Sequence, residues 1–280
     1  MKILITGSSG FVGKYLVSAL NKKGHSLIKA DITDGIDLTD WNQVKKIKKF
    51  DIVYHLAAIS YVPQSYKDPG IFYNINLIST LNILELCRLY NAKMIFASSY
   101  VYGKPKYLPI NEEHPVEAIN PYAESKIIGE RLCSAYNRDF GIDTVIVRPS
   151  NIYGKGLNEN FLIPTIIKQI PSGKIILKDP RPKRDFIFIS DLIEFYTKII
   201  ETNISNEIIN CGSGISYSVE DITNMVAQML KYKIEVVFNK SDRKIEVMET
   251  VYNIEKAKKL LNWKPRTPLK KGLSGLINCE

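Results

Sequence analysis

The 280-residue sequence predicts an α/β fold, in which a doubly wound parallel sheet is followed by a smaller mixed lobe near the C-terminus. Two observations favour this fold. Short apolar runs alternate with longer segments of helical period over the first two thirds of the chain, and a cluster of glycines joins the first run to the first helical segment. Strand, helix and strand in repetition are typical of a parallel sheet with helices on both faces.

The predicted strands are brief, rich in Ile and Val, and bounded by polar or turn residues, as strands buried on both faces are. They are Lys2–Thr6, Ser26–Ala30, Ile52–Leu56, Met94–Ala97 and Thr144–Val147. The helical segments between them are Val12–Lys22, Trp41–Lys48, Ile71–Tyr90 and Pro121–Asp139. In the second of these, apolar residues recur at helical spacing from Trp41 to Ile47, so the run Lys45–Lys49 is interpreted as the solvated face of an amphipathic helix.

Proline and glycine break this pattern after Arg148. One more strand, Phe186–Ile189, and one more helix, Asp191–Glu201, are predicted there. We therefore expect two structural units. They are a dinucleotide-binding domain at residues 1–153, to which residues 186–214 return, and a substrate-binding lobe formed by residues 154–185 and 215–280.

The composition is that of an ordinary globular protein, with 45% hydrophobic and 24% charged residues, which excludes a disordered or collagen-like chain. No stretch approaches the ~18 apolar residues of a membrane span, and the N-terminus, which runs straight into a strand, lacks the pattern of a secretory leader. The formal net charge is +9, but the lysines are dispersed, so nucleic-acid binding is not expected. Four cysteines lie far apart without metal-ligand spacing, and we expect reduced thiols in a cytoplasmic protein with no metal site: Cys87, Cys133, Cys211 and Cys279.

Glycines stand at positions 7, 10 and 13, between the first strand and the first helix. Residues without a side chain let such a turn tighten and let the backbone approach a pyrophosphate, while the helix N-terminus supplies free N–H groups and a positive dipole end. The alternative is an ordinary glycine turn, but the position between strand and helix favours phosphate binding. The predicted phosphate-binding residues are Gly7, Gly10, Phe11, Val12 and Gly13.

Asp31 ends the second predicted strand, 24 residues after Gly7. An acid at this position is expected to accept a hydrogen bond from a ribose 2′-hydroxyl. Because the same carboxylate would repel a 2′-phosphate, NAD is favoured over NADP as the cofactor. Two alternatives stay open: Asp31 is simply an acidic turn residue, or the nearby Lys29 softens the preference for NAD.

Tyr122 and Lys126 stand one turn apart on one face of the helix that begins near Pro121. A phenol normally titrates near pH ~10, and a neighbouring ammonium together with a nicotinium ring is expected to favour the phenolate and lower its pKa. Tyr122 could then take a proton from a sugar hydroxyl while hydride leaves its carbon for the nicotinamide. Ser98, at the carboxyl end of the fourth strand, is expected to hydrogen-bond the same oxygen and share the proton.

These residues resemble the extended short-chain dehydrogenase/reductases that act on nucleotide sugars, a family of Rossmann enzymes that includes UDP-glucose 4-epimerase and 4-keto-sugar reductases. The resemblance runs from Met1 to about Pro268. It rests on Thr6–Gly13, His55-Leu56-Ala57-Ala58, Asn76 with Thr80, Ser98-Ser99-Tyr100-Val101-Tyr102-Gly103, Tyr122 with Lys126, Arg148-Pro149-Ser150-Asn151-Ile152-Tyr153-Gly154, Arg184-Asp185-Phe186 and Asn262-Trp263-Lys264-Pro265.

The resemblance implies further site residues. Asp37 and Leu38 would hold the adenine; Leu56, Ala57 and Ala58 would line the cofactor cleft; Asn76 would brace it; and Pro149 would approach the nicotinamide. The expected substrate contacts are Ser98, Ser99, Tyr122, Asn151, Phe161, Leu162, Arg184 and Arg243. Two arginines suit a diphosphate, since guanidinium groups form charge-assisted, sometimes bidentate hydrogen bonds. His55 is expected to be a core or cleft histidine rather than a metal ligand.

The chain departs from the family pattern in two places. Dehydratases of this family carry an Asp-Glu pair where this sequence has Ser99 and Tyr100, and the decarboxylases also have a Glu at the position of Tyr100, so 4,6-dehydration is disfavoured. The segment from Asp31 to Asp37 is very short, which implies that the usual loop and third strand are trimmed beside the adenosine pocket.

The function expected from these observations is that of an NAD-dependent nucleoside-diphosphate-sugar 4-epimerase working through a 4-keto sugar. The alternative is an NAD(P)H-dependent 4-ketoreductase of a 6-deoxy-4-keto sugar nucleotide, and a remote one is a non-catalytic nucleotide- or RNA-binding relative. The sequence leaves the nucleotide base and the sugar open. The family's helices that match Ile71–Tyr90 and Pro121–Asp139 pair across a two-fold axis, so a homodimer is expected.

Overall fold

A computed structural model describes residues 1–230, 232–239 and 247–277. Its strands are β1 (Lys2–Thr6), β2 (Ser26–Ala30), β3 (Ile52–His55), β4 (Lys93–Ala97), β5 (Thr144–Pro149), β6 (Asn151–Tyr153), β7 (Lys174–Leu177), β8 (Lys183–Phe188), β9 (Glu207–Cys211), β10 (Ser216–Ser218) and β11 (Glu235–Phe238). Its helices are α1 (Phe11–Lys22), α2 (Trp41–Val44), α3 (Val62–Lys67), α4 (Pro69–Tyr73), α5 (Ser79–Tyr90), α6 (Pro121–Phe140), α7 (Leu162–Gln169), α8 (Ile189–Glu201), α9 (Val219–Met229), α10 (Glu255–Leu261) and α11 (Leu269–Ile277).

Six parallel strands form the main sheet in the order β2-β1-β3-β4-β5-β9. The central strands β3 and β5 are buried along their whole length, as strands covered on both faces must be. One apolar cluster packs α1 and α8 against one face, and a second packs α5 and α6 against the other. The predicted doubly wound parallel sheet is confirmed.

Two smaller sheets lie outside the main sheet. One has the order β10-β8-β6 and mixes antiparallel and parallel pairs, and the other pairs β7 with β11 in parallel. A third apolar cluster packs α7, α9 and α11 with these strands. Strand β9 belongs to the main sheet, so the chain returns to that sheet after β8 and α8.

Several predicted boundaries were wrong. The helix expected over Trp41–Lys48 is regular only to Val44, although Val44 and Ile47 are buried as expected. Asp40 caps this helix, and the chain then leaves it through turns to enter β3. The long helix expected over Ile71–Tyr90 is three consecutive pieces, because a π-helical segment, Asn74–Ile78, separates α4 from α5.

A buried carboxylate connects the main sheet to the smaller ones. Asp185 in β8 accepts hydrogen bonds from Ser150, from Ser213 and Gly214 after β9, and from the backbone N–H of Tyr252. Burial raises the pKa of Asp185, while the Ser213, Gly214 and Tyr252 donors act against that rise. Within the described ranges, no helix is both long and apolar enough to cross a membrane.

Candidate active site

Four strand ends meet at one edge of the main sheet, the edge at which open parallel sheets bind ligands. The glycine turn follows β1, the segment Leu56–Ala58 follows β3, Ser98 and Ser99 follow β4, and β5 ends at Pro149. The parallel registers of these strands bring the four segments side by side. The structure therefore gathers residues that lie far apart in the sequence into one cleft.

The glycine turn after β1 is too tight for side chains. Gly7 has a φ of +66°, and a Cβ atom there would lie 2.8 Å from the Ala57 nitrogen. A Cβ atom on Gly13 would lie 2.1 Å from the Gly7 carbonyl oxygen, and one on Gly10 would lie 3.2 Å from it. These glycines therefore let helix α1 begin directly against the turn and let the turn pack on the segment after β3.

The first turn of α1 offers backbone donors to a phosphate. Lys14 donates to the Gly10 carbonyl at 3.0 Å, so the N–H groups of Phe11, Val12 and Gly13 precede the hydrogen bonds of the helix. The positive end of the helix dipole lies at the same point. This turn fits the pyrophosphate of a dinucleotide, as the sequence predicts.

Asp31 is fixed at the end of β2. One carboxylate oxygen accepts hydrogen bonds from the Thr33 N–H and hydroxyl at 3.0 and 2.9 Å, and the other accepts the Ser9 N–H at 3.1 Å. Burial by itself would raise the pKa of Asp31, but these donors and the charge of Lys14 lower it overall. The residue therefore serves the local turn as a charged carboxylate, and it retains acceptor capacity for a ribose hydroxyl.

The two residues expected to contact the adenine, Asp37 and Leu38, lie in different surroundings. The Asp37 carboxylate accepts from the Thr39 N–H and hydroxyl at 2.8 and 2.7 Å. Leu38 is buried in the apolar core, and its carbonyl accepts from the Asn82 amide. Any contact of Leu38 with a base would therefore come from its backbone rather than from its side chain.

Asn76 braces the segment after β3. Its side-chain oxygen accepts from the Ile59 N–H at 3.0 Å, and its amide donates to the Ile59 carbonyl at 3.2 Å and to the Ser125 hydroxyl at 2.9 Å. Asn76 lies in the π-helical segment between α4 and α5, a distortion often found at functional sites. The side chain thus joins the cleft wall to helix α6.

Tyr122 and Lys126 are brought to the end of β4 by the first two turns of α6. The helix begins where Asn120 accepts the Ala123 N–H at 2.7 Å and where Pro121 occupies the first turn. The Lys126 ammonium donates to the Ala97 carbonyl at 2.8 Å and lies 5.0 Å from the centre of the Phe96 ring. This contact anchors the helix to the sheet edge beside the strand ends.

In the protein chain alone, burial has a larger effect on the Tyr122 pKa than Lys126 has. Burial raises the pKa of Tyr122 to about 12, and a hydrogen bond with Ser99 opposes that rise. Burial also lowers the pKa of Lys126 to about 8, against the charge of Glu130. The cause is desolvation, which disfavours the charged form of both groups. The spacing of Tyr122 and Lys126 in the sequence does not reveal how deeply the two side chains are buried.

The two serines after β4 have different partners. Ser98 is buried, and its hydroxyl donates to the Glu130 carboxylate at 2.5 Å. Ser99 is half-buried and lies within hydrogen-bonding reach of the Tyr122 phenol. The expectation that Ser98 shares a proton with the reacting oxygen therefore meets a competing hydrogen bond that sequence reasoning missed.

The remaining residues expected at the substrate have the following contacts. Asn151 donates to the Asp185 carbonyl at 3.0 Å, and Arg184 donates to the Lys183 carbonyl at 2.8 Å. Phe161, directly before Leu162 and α7, meets the Tyr61 ring edge-on at 6.2 Å. Arg243 lies outside the described residues. No structural role is assigned to it.

His55 is a buried core residue, as expected. Its ring nitrogens contact the Thr6 and Thr80 hydroxyls at 2.8 and 3.1 Å. Burial and the charge of Lys126 lower the pKa of His55 to about 3, so the ring is neutral at physiological pH. Among the described residues, no group of three His, Cys, Asp or Glu side chains could hold a metal ion.

The family can be stated from a comparison with known proteins. Residues 3–212 match the model of the NAD dependent epimerase/dehydratase family. The chain belongs to this family. The predicted extended short-chain dehydrogenase/reductase type, with NAD as cofactor, is thereby confirmed.

Individual relatives and structures agree with this assignment. The chain is 34% identical over 303 residues to a Methanocaldococcus jannaschii protein provisionally named UDP-glucose 4-epimerase, covering 99% of this chain and 97% of that one. It is 33% identical over 249 residues to the GDP-6-deoxy-D-talose 4-dehydrogenase of Aggregatibacter actinomycetemcomitans, covering 85% and 83%. A structure of the UDP-glucuronic acid 4-epimerase of Bacillus cereus, bound to a fluorinated UDP-sugar and NAD, superposes with a TM-score of 0.92 at 30% identity and covers 99% of this chain and 98% of that one.

Proposed function

We propose that this protein is an NAD-dependent nucleoside-diphosphate-sugar 4-epimerase, resembling UDP-glucose 4-epimerase, that works through a 4-keto sugar. The observation that carries the proposal is the position of Tyr122 and Lys126 at the end of β4, on the same sheet edge as the glycine turn. Among its relatives, a protein provisionally named UDP-glucose 4-epimerase aligns over nearly its whole length. The sequence has Ser99 and Tyr100, rather than acidic residues, at the two positions where acids would support dehydration.

The cofactor would be held by the glycine turn, by Asp31 and by Lys126, and its nicotinamide would lie near Pro149. When bound, NAD supplies a site that accepts hydride from the sugar C4 and returns it. Tyr122 would take the proton of the 4-hydroxyl and give it back, assisted by a serine of the pair after β4. Because burial raises the pKa of Tyr122 to about 12, the cationic charge of Lys126 and of the oxidised cofactor would have to favour the phenolate.

The nucleotide sugar would bind to the lobe formed by residues 154–185 and 215–280. Arg184 supports this assignment, because its positive charge lies close enough to Tyr100 to act on its pKa, while burial raises that pKa overall. A positive charge near Tyr100 would favour a diphosphate bound in this part of the cleft. Arg243 is proposed as the second cationic contact on the sequence resemblance alone.

A second candidate is an NAD(P)H-dependent 4-ketoreductase of a 6-deoxy-4-keto sugar nucleotide. It is favoured by the similarity to the GDP-6-deoxy-D-talose 4-dehydrogenase and by the short connection between Asp31 and Asp37. Both candidates use the same tyrosine, lysine and serine pair. They differ in the source of the hydride: an epimerase would return to the sugar the hydride taken from its own C4, whereas a ketoreductase would transfer hydride from NAD(P)H to the ketone and release oxidised cofactor.

A binding panel and a stoichiometry measurement distinguish the candidates. Thermal unfolding would be followed with UDP-, dTDP-, CDP- and GDP-sugars, with NAD and NADP in turn, since a ligand that binds the folded state raises the Tm. The best-bound sugar would then be tested for turnover. An epimerase interconverts two sugars with catalytic cofactor, whereas a reductase consumes one NAD(P)H per product.

We also propose a cytoplasmic homodimer. Three of the four cysteines are buried free thiols in the structure, as suits a reducing compartment. The dimer would pair α5 and α6, together with the α4 and π-helical segments, across a two-fold axis. Exposed Ile71 and Ile78 support this surface. Sedimentation returning only monomer at micromolar concentration would contradict the dimer.

A further inference from the structure

We propose that Asp185 is a positioning residue of the nucleotide-sugar site. Its buried carboxylate joins β8 to three other chain segments and so holds Arg184 and Asn151 in place against the main sheet. The proposal rests on the proposed function, because it concerns how the same site binds a diphosphate. Its basis is the set of donors that surround this one carboxylate.

The first observation concerns the donors around Asp185, which is 1% exposed. One carboxylate oxygen accepts the N–H and the hydroxyl of Ser213, both at 2.7 Å, and the Ser150 hydroxyl at 3.2 Å. The other oxygen accepts the N–H groups of Gly214 at 3.0 Å and of Tyr252 at 3.2 Å. These neutral donors offset the cost of burying a charged group.

The second observation is that both carboxylate oxygens face backbone N–H groups, which can only donate. The Ser213 N–H faces one oxygen, and the Gly214 and Tyr252 N–H groups face the other. The Asp185→Asn substitution would replace one oxygen by an NH2 group, and this group would oppose an N–H whichever way the side chain turned. The surroundings therefore require a carboxylate rather than an amide of the same shape.

The third observation is where the donors lie in the chain. Ser150 directly follows β5, at the edge of the main sheet. Ser213 and Gly214 lie between β9 of the main sheet and β10, and β10 pairs with β8. Tyr252 also donates its hydroxyl to the Pro149 carbonyl at 3.3 Å. The Asp185 carboxylate therefore fixes β8 to the strand ends that form the cleft.

The fourth observation is that two of the proposed substrate contacts adjoin these residues. Arg184 precedes Asp185 in β8, and successive side chains of a strand point to opposite faces. Holding Asp185 in the interior therefore fixes the direction in which Arg184 leaves the strand. Asn151 follows Ser150, and its amide donates to the Asp185 carbonyl at 3.0 Å.

The consequence concerns substrate affinity rather than the chemical step. The donors of a guanidinium form a planar fork, so the group binds a phosphate well only in a suitable orientation. Loss of the Asp185 contacts would let β8 shift and would turn Arg184 away from that orientation. Tyr122 and Lys126 lie on α6, which does not contribute a donor to this carboxylate. We therefore expect a change in KM with little change in kcat.

The experiment compares Asp185→Asn with Asp191→Asn in the full chain. Asp191 is a matched control because it is also buried, at 3% exposure, and accepts the N–H groups of Arg266 and Thr267, neither of which is a proposed substrate contact. We expect Asp185→Asn to raise KM for the nucleotide sugar identified by the binding panel about tenfold, with kcat and the Kd of NAD within about threefold. Asp191→Asn should lower the Tm and leave KM within about threefold.

A double-mutant cycle separates positioning from a purely structural role. The Kd of UDP, dTDP, CDP or GDP, chosen by the panel, is measured by calorimetry, so the cycle does not depend on turnover. In an Arg184→Ala background, Asp185→Asn should weaken this binding by less than about threefold, while the Tm falls by a similar amount in both backgrounds. Ser213→Ala removes one donor and should raise the Kd about threefold, which tests the proposal if Asp185→Asn does not fold.

Three results would overturn the positioning role while leaving the proposed function intact. They are an unchanged KM in folded Asp185→Asn (or an unchanged Kd in Ser213→Ala if that variant does not fold), an equal rise in KM in Asp191→Asn, and a full loss of affinity that persists without Arg184. If wild type binds none of the four nucleoside diphosphates and turns over no nucleotide sugar, the proposed function fails, and the positioning role fails with it.

Discussion

Replacing Gly13 by alanine tests whether the glycine turn binds a dinucleotide. The added Cβ atom would lie 2.1 Å from the Gly7 carbonyl oxygen and 2.9 Å from two Ser8 backbone atoms. The first distance is 0.9 Å short of the 3.0 Å below which such contacts essentially never occur. All of these neighbours are backbone, so no side chain can turn away, and the start of α1 must shift.

The expected cost can be estimated from this clash. Overpacking of this kind lowers the free energy of unfolding by about 1 to 3 kcal/mol. In a chain of this size class, each kcal/mol lowers the Tm by roughly 2 to 4 °C. The larger effect should fall on NAD, because the shift displaces the N–H groups of Phe11, Val12 and Gly13. We expect the NAD affinity to fall at least about tenfold, which corresponds to ~1.4 kcal/mol.

The assay is calorimetric titration of NAD into each folded variant, together with thermal unfolding. Gly275→Ala is the matched control, since an alanine Cβ at this position in α11 would meet nothing within 4 Å. Gly10→Ala should be intermediate, with its Cβ 3.2 Å from the same carbonyl oxygen. If Gly13→Ala bound NAD as wild type does, the close approach of α1 to the turn would have no part in cofactor binding.

Three further predictions concern buried polar groups. Burial lowers the pKa of Lys126 to about 8, so between pH 8 and 10 the unfolded chain binds a proton that the folded protein lacks. Urea unfolding should therefore show wild type gaining stability over that interval, and an equal gain in Lys126→Met would contradict this origin. Burial and the charge of Lys126 lower the pKa of His55 to about 3, so wild type should lose stability as the pH falls below 6.5, with a smaller loss in His55→Asn. Asn76→Ala should cost about 1 to 3 kcal/mol and should weaken NAD binding, since it removes hydrogen bonds to the half-buried Ile59 backbone and to the buried Ser125 hydroxyl. A cost no larger than that of exposed Asn74→Ala would refute the bracing role.

The parts of the fold that follow from local pattern could be predicted from the sequence. The strands Lys2–Thr6 and Ser26–Ala30 have the expected bounds, because short apolar runs between turn or polar residues leave little choice of element. The short strands β6, β7, β10 and β11 were not predicted. Their proline- and glycine-broken surroundings carry no clear period, and their pairing depends on contacts between distant segments.

The active site divides in the same way. The glycine turn and the pair Tyr122 and Lys126 were recognisable because their spacing along the chain carries the chemistry. The partner of Ser98 could not be recognised from the sequence, since Glu130 is 32 residues away and contacts Ser98 only once α6 packs on β4. The hydrogen bonds of Asp185 were not predicted either, because its partners span the chain from Ser150 to Tyr252.

Single-turnover measurement on Tyr122→Phe tests the central claim most directly. NAD binding is measured by calorimetry, and sugar oxidation is followed by the 340 nm absorbance of the reduced cofactor after the nucleotide sugar is added. The account predicts wild-type NAD affinity within about threefold and a fall in the oxidation rate of at least about 100-fold, the usual contribution of a positioned base. An unchanged oxidation rate in this variant would contradict the account.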